Sequence, residues 1–85
     1  MNQIVVDVRE PEEFASGHVK GAMNVPPAQL LQGAKVFEDV PKDTKIIVYC
    51  RTGSRSNVAM HILNELGYTN VINGINKEQV EARYL

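Results

Sequence analysis

Two short, almost continuous apolar runs along the chain predict buried strands. One covers residues 4–8 and the other residues 45–49, and both are rich in β-branched side chains. Runs of this length without polar alternation are typical of strands covered on both faces, as in a parallel sheet. Shorter stretches at residues 22–25, stopped by two prolines, and at residues 70–72 predict two further strands.

Helical patterns lie between these strands. Pro11 suits the first turn of a short helix, where Glu12 and Glu13 are interpreted as charges favoured by the helix dipole rather than as a catalytic pair. Phe14 is predicted to face inward. Residues 28–37 predict a second helix. Its inward face is predicted to consist of Leu30, Leu31, Ala34 and Phe37.

The clearest helical pattern covers residues 54–66 and is closed by Gly67. Its inward face is predicted to hold Val58, Ala59, Ile62, Leu63 and Leu66. A last helix follows Asn76, which is predicted to be its N-cap, with Gln79 at the third helical position.

Strands that alternate with helices predict an α/β domain of three layers, with a mostly parallel sheet of about four strands flanked by helices. With 85 residues, the chain has room for one small domain, residues 1–85. Active sites of such sheets lie beyond the carboxyl ends of the strands. Cys50 follows one buried strand and Arg9 follows the other. Both residues are therefore predicted to lie at the carboxyl edge of the sheet, where the site is expected.

Composition narrows the class of partner. Apolar residues make up 44% of the chain, charged residues 22%, and the net charge is −1. These ordinary values give no electrostatic drive toward nucleic acid or a membrane surface. No apolar run approaches the ~20 residues that span a bilayer. No signal peptide is visible, so a cytoplasmic location is the default expectation, and a periplasmic one applies if such a peptide has been removed.

The single cysteine lies in the segment that carries the chemistry. One cysteine cannot form an internal disulfide, and it rules out a zinc site built from several thiolates. Cys50 follows a buried strand, and a short loop containing Gly53 leads directly into a helix. Backbone N–H groups at a helix start attract anions and make a cysteine there easier to ionise. With Arg51 and Arg55 beside it, Cys50 is predicted to be a nucleophile that acts on an anionic substrate.

Three motifs resemble the rhodanese family, the thiosulfate sulfurtransferases. Residues 50–56, Cys-Arg-Thr-Gly-Ser-Arg-Ser, resemble the active-site loop of that family. Residues 6–14 and 17–26 resemble its Asp-Val-Arg and Gly-His-Val signatures, and residues 66–71 resemble the segment after the active-site helix. The chain resembles the shortest members, the small phage-shock rhodaneses, because it lacks the strand and helix that usually precede the Asp-Val-Arg strand.

The resemblance implies that Cys50 is the catalytic nucleophile. The substrate-binding residues that it implies are Arg51, Thr52, Gly53, Ser54 and Arg55. Thr52, Gly53 and Ser54 are expected to act mainly through their backbone N–H groups. Arg55 is the first choice for binding thiosulfate or stabilising the persulfide, whereas Arg51 is expected to lie at the entrance of the loop.

Four further residues are expected to support this loop: Asp7, Arg9, His18 and Ser56. Asp7 is interpreted as the anchor of a neighbouring loop and Arg9 as the partner of a carboxylate. His18 is interpreted as the organiser of a turn rather than as a catalytic base, and Ser54 or Ser56 as a cap of the following helix.

The predicted reaction transfers a sulfane sulfur from thiosulfate, or a similar small anionic donor, to a thiophilic acceptor through a persulfide on Cys50. The acceptor is cyanide, a small thiol or a protein cysteine, and it comes from another molecule because the chain has no second cysteine. This chemistry needs no metal or organic cofactor, and the expected protein is a monomer.

Two alternative functions stay open. One is a non-catalytic interaction or regulatory module of the same fold. The other is a phosphatase or arsenate enzyme with a cysteine nucleophile. Related phosphatases place five residues between the cysteine and the arginine, whereas four residues separate Cys50 from Arg55. This shorter loop favours sulfur transfer.

Overall fold

The computed structural model describes residues 3–85, which form four strands, four α-helices and one short 3-10 helix. The strands are β1 (Gln3–Asp7), β2 (Met23–Asn24), β3 (Lys45–Cys50) and β4 (Val71–Asn76). The helices are α1 (Pro11–Ala15), α2 (Pro27–Leu31), the 3-10 helix (Lys35–Phe37), α3 (Ser54–Glu65) and α4 (Lys77–Arg83). Within these residues, each helix is too short or too polar to cross a membrane.

The four strands form one parallel sheet in the order β2-β1-β3-β4, which confirms the predicted fold class. Strand β3 lies inside the sheet and is buried on both faces. Ile46, Val48 and Cys50 belong to the core cluster that α3 covers, whereas Ile47 and Tyr49 pack in a second cluster with a residue of α4. Side chains of β3 therefore pack alternately against the helices on the two faces of the sheet, and the last of them is that of Cys50.

Helix α3 matches its predicted range within one residue, but its predicted inward face is partly wrong. Ala59 and Leu63 are buried, as is Ser56, while Val58 is 56% exposed and Leu66 is 40% exposed. Residues three and four apart share a face of a helix. The buried stripe therefore runs along Ser56, Ala59 and Leu63, and Val58 lies beside it.

The single helix predicted for residues 28–37 is also wrong. Helix α2 ends at Leu31, because Gly33 and Ala34 adopt φ values of 106° and 53° in the left-handed region. A left-handed residue after the last turn is the usual end of a helix. The following 3-10 helix turns Phe37 into the core, while Leu31 stays 75% exposed instead of facing inward.

Strand β4 is longer than predicted and irregular. Its register with β3 shifts between Val48 and Tyr49, and Ile75 adopts a φ of 76°, which is unusual for a β-branched residue. The predicted N-cap is confirmed, since the Asn76 side chain accepts a hydrogen bond of 2.9 Å from the Gln79 N–H. The irregularity allows β4 to run straight into α4 at the carboxyl edge of the sheet.

We predict that Gly74→Ala destabilises the fold through overpacking. A Cβ on Gly74 would lie 2.6 Å from a methyl carbon of Val80 and 2.9 Å from one of Ile47, both fully buried. Overpacking of this kind costs roughly 1–3 kcal/mol. Urea unfolding measures the loss. The same substitution should cost less in a Val80→Ala background, and an equal cost in both backgrounds would contradict this explanation.

Candidate active site

The sulfur of Cys50 takes the place of a helix cap. Cys50 ends β3, is 2% exposed, and is separated from α3 by a loop that closes at Gly53, the N-cap residue, with φ 95°. Among residues 3–85, no side chain caps the N-terminus of α3. Instead, the N–H groups of Gly53 and Ser56 donate hydrogen bonds to Cys50 Sγ at 3.2 and 3.4 Å. The sulfur thus satisfies donors that a helix start otherwise leaves without partners.

These hydrogen bonds govern the ionisation of Cys50. Burial alone would raise the pKa of the thiol. The hydroxyl and N–H of Ser56, followed by the N–H groups of Gly53 and Thr52, outweigh burial and lower the pKa of Cys50 to about 7. A substantial fraction of the sulfur is therefore thiolate, the nucleophilic form, near neutral pH.

Ser56 has a different role from the predicted one. Its hydroxyl does not cap α3; the oxygen lies 3.4 Å from Cys50 Sγ and donates a hydrogen bond of 2.6 Å to Asn73 Oδ1. The Asn73 amide group also donates to the Gly53 carbonyl at 3.0 Å. Sequence reasoning did not identify Asn73 as a site residue, although a polar side chain inside an apolar strand pattern was an available signal.

Asp7 and Arg9 form a hydrogen-bonded network at the end of β1. The Arg9 guanidinium donates to the Asp7 carboxylate at 2.6–3.1 Å and to the Gly17 carbonyl at 2.7 Å. The Tyr49 hydroxyl donates to Asp7 at 2.8 Å and accepts from the Val19 N–H at 3.0 Å. Burial raises the pKa of Tyr49 to about 12, so the phenol stays protonated and keeps this network intact.

The position of His18 supports its interpretation as the organiser of a turn. The ring stacks on Phe14 at a centroid distance of 3.7 Å, and its Nδ1 lies 2.8 Å from the Phe14 carbonyl oxygen. Phe14 is half-buried rather than fully inward, and the His18 ring covers one of its faces. His18 does not line the cleft above Cys50.

The two arginines of the loop have different surroundings. Arg51 is exposed and lines the cleft beside Cys50. Arg55 forms an ion pair with Glu13 through two hydrogen bonds of 2.7 and 3.0 Å. The hydrogen bond from Arg55 is the main cause that lowers the pKa of Glu13 to about 2. Glu13 is thus more than a first-turn charge, because it links α1 to α3 and occupies the guanidinium that was expected to bind the substrate.

An open cleft of about 400 Å³ lies over Cys50 at the carboxyl edge of the sheet. Side chains from three parts of the described chain line it: Arg9, Glu13, Ser16, Cys50, Arg51, Asn76, Lys77 and Glu78. Three of these residues are cationic. Thr52 and Ser54 have exposed side chains, in keeping with the prediction that they act through the backbone. The site can hold a small anion against a buried sulfur nucleophile.

Comparison with known proteins identifies related chains. A family model described as "Rhodanese-like domain" matches residues 1–75. The thiosulfate sulfurtransferase PspE of Escherichia coli is 41% identical over 69 residues, which cover 80% of this chain and 64% of that protein. A sulfurtransferase of Allochromatium vinosum is 37% identical over 70 residues, which cover 82% of this chain and 63% of the relative. The chain therefore spans less than two thirds of the length of these curated relatives.

The fold has a similar counterpart among solved structures. A structure described as "rhodanese with anions from E. coli" superimposes with a TM-score of 0.80 at 34% identity, covering 91% of this chain and 89% of the other.

We predict that alkylation of Cys50 by iodoacetamide has a pH midpoint close to 7. Because the thiolate is the reacting form, the rate should rise as the pH increases through this value and then level off. The same protein unfolded in urea serves as the control, with a midpoint expected near the ordinary value of ~8.5. Identical midpoints in the folded and unfolded protein would show that the N–H groups do not stabilise the thiolate.

Proposed function

The chain belongs to the family of rhodanese-like domains, and we propose that it is a sulfurtransferase that carries a sulfur atom on Cys50. One observation carries this proposal: two backbone N–H groups converge on a buried sulfur at the base of an open cleft. A thiolate held in this way is an activated nucleophile. The names of the sulfurtransferase relatives support the same reaction class.

The first half-reaction loads the sulfur. The Cys50 thiolate attacks the outer sulfur of thiosulfate and forms a new S–S bond. The S–S bond of the donor breaks, and sulfite leaves with its electron pair. The product is a Cys50 persulfide whose terminal sulfur carries the negative charge. We expect the cleft cations and the N–H groups of the loop to stabilise that charge.

The second half-reaction transfers the sulfur from Cys50 to the acceptor. Cyanide, or the thiolate of a small thiol or protein cysteine, attacks the terminal sulfur. The persulfide bond breaks, and its electron pair returns to Cys50 Sγ. A thiolate of low pKa is a better leaving group in such exchanges, so the hydrogen bonds that activate Cys50 for loading also favour its release. The two separate steps give ping-pong kinetics.

Arg51 is the residue that we expect to guide the donor into the cleft. It is exposed at the cleft beside Cys50, and it makes no ion pair with any of residues 3–85. Arg55 is expected to act mainly by neutralising Glu13, whose carboxylate would otherwise face the donor. The sequence motif had indicated Arg55 as the main donor-binding arginine, whereas this proposal gives that role to Arg51.

We predict that thiosulfate adds one sulfur atom to the intact protein and that cyanide removes it. Intact-mass spectrometry before and after each reagent measures both steps. Cys50→Ser is the matched control, because it replaces only the sulfur; it should gain no mass and show no thiosulfate:cyanide turnover. A folded parent protein that gains no sulfur from thiosulfate or from another sulfane donor would support a non-catalytic interaction module instead.

We further predict that Glu13→Gln rescues Arg55→Ala. Removal of Arg55 alone leaves a carboxylate without its cation at the cleft, which should lower kcat/KM for thiosulfate roughly two- to fivefold, the scale of an exposed ion pair. Steady-state kinetics at low and high salt measure the effect, which salt should weaken. If Arg55 binds the donor directly, the double variant stays as impaired as Arg55→Ala, and Glu13→Gln alone raises activity.

A further inference from the structure

The hydroxyl group of Ser56 lies between two acceptors that compete for its single proton. One is Cys50 Sγ at 3.4 Å, and the other is Asn73 Oδ1 at 2.6 Å. Ser56 is fully buried, so water does not offer a third partner. A hydroxyl has one proton to donate and lone pairs to accept with. The direction of this hydroxyl therefore depends on which neighbour attracts the proton more strongly.

The orientation of the Asn73 amide is fixed by its other hydrogen bonds. Its nitrogen donates to the Gly53 carbonyl at 3.0 Å, and its oxygen accepts from the Ile75 N–H at 3.0 Å. A flipped amide would set two donors against each other at Ile75 and two acceptors against each other at Gly53. Oδ1 therefore faces Ser56, and an amide oxygen can only accept.

The charge on Cys50 decides the competition. When the sulfur is a neutral thiol, the short bond to Asn73 holds the Ser56 proton, and the thiol can donate its own hydrogen to Ser56 Oγ. When the sulfur is a thiolate, a charge-assisted hydrogen bond from Ser56 is stronger than the neutral bond to the amide. Asn73 Oδ1 then keeps the Ile75 N–H as a partner, so releasing the hydroxyl leaves no buried acceptor without a hydrogen bond.

We propose that Asn73 is a positioning residue that holds the Ser56 hydroxyl away from Cys50 while the sulfur is neutral and releases it when the sulfur is charged. Resting on the proposed sulfur transfer, this gives the hydroxyl a different orientation in each of the two forms of Cys50 that the reaction passes through. In the persulfide the charge lies on the terminal sulfur, and Ser56 points to Asn73. In the free thiolate the charge lies on Sγ, and Ser56 turns to it. The proton stays on Ser56 throughout.

A double-mutant cycle on the parent, Asn73→Leu, Ser56→Ala and the double variant tests this inference. The readout is the pH midpoint of Cys50 alkylation. Without Asn73 as a competitor, the freed hydroxyl should stabilise the thiolate, so Asn73→Leu should lower the midpoint by roughly 0.5–1 unit, the scale of one hydrogen bond. In the Ser56→Ala background, Asn73→Leu should shift the midpoint by much less.

A merely structural role of Asn73 gives a different pattern. Loosening of the Gly53 turn would weaken the N–H groups around the sulfur and raise the midpoint in both backgrounds. An upward shift, or the same shift with and without Ser56, overturns the proposal. The charged groups around the cleft stay unchanged in all four proteins, so their effects cancel; they are Arg9, Glu13, Arg51, Arg55, Lys77 and Glu78.

Two measures keep the test decisive. Asn73→Ala replaces Asn73→Leu in both backgrounds if the larger apolar side chain prevents folding, with thermal unfolding as the check. Alkylation needs no sulfur donor, so its result is independent of turnover. If the double-mutant cycle gives the expected coupling but no persulfide forms, the proposed function is wrong and the role of Asn73 stands. If the persulfide forms but the coupling is absent, the proposed function stands and the role of Asn73 is wrong.

Discussion

The hydrogen bonds between the first turn of α3 and Cys50 Sγ are the interaction on which this site depends. The first N–H groups of a helix have no acceptor within the helix, and a buried thiolate needs hydrogen-bond donors to stabilise its charge. Each satisfies the other here, because β3 ends directly below α3 and Gly53 turns the chain between them. The pKa of Cys50 is lowered to about 7, so the fold gains stability from this interaction above the unfolded thiol's pKa of ~8.5 and loses it as the pH falls through 7.

Two further networks fix the walls around this pair. On one side, the buried Asp7 carboxylate joins Arg9 to Tyr49, which ties the end of β1 to β3 and to the turn at Gly17. Arg9 also lines the cleft, so one guanidinium serves both packing and electrostatics. On the other side, Glu13 and Arg55 join α1 to α3. The cleft therefore keeps its shape through one hydrogen bond, Tyr49–Asp7, and one ion pair, Glu13–Arg55, that join elements distant in sequence.

The sequence allowed the sheet, the position of Cys50 and the helix after it to be predicted, because β-branched apolar runs and a Gly-containing loop are local signals. It did not allow the break in the second helix to be predicted, since that break depends on Gly33 and Ala34 adopting left-handed backbone together. The partners of Arg55 and Ser56 were missed for a different reason. Glu13 and Asn73 reach them from 42 and 17 residues away, and only the tertiary fold brings such pairs together.

Amide chemical shifts of the folded protein test the central claim most directly. In two-dimensional ¹⁵N–¹H NMR spectra recorded against pH, the Gly53 and Ser56 amides donate to the titrating sulfur and should shift together, with a midpoint close to 7. The amide of Gln32, which follows α2 and does not line the cleft, provides the reference. After addition of thiosulfate, the same two signals should move to a new position that no longer titrates near 7. Gly53 and Ser56 signals that stay fixed while Cys50 ionises would contradict the account.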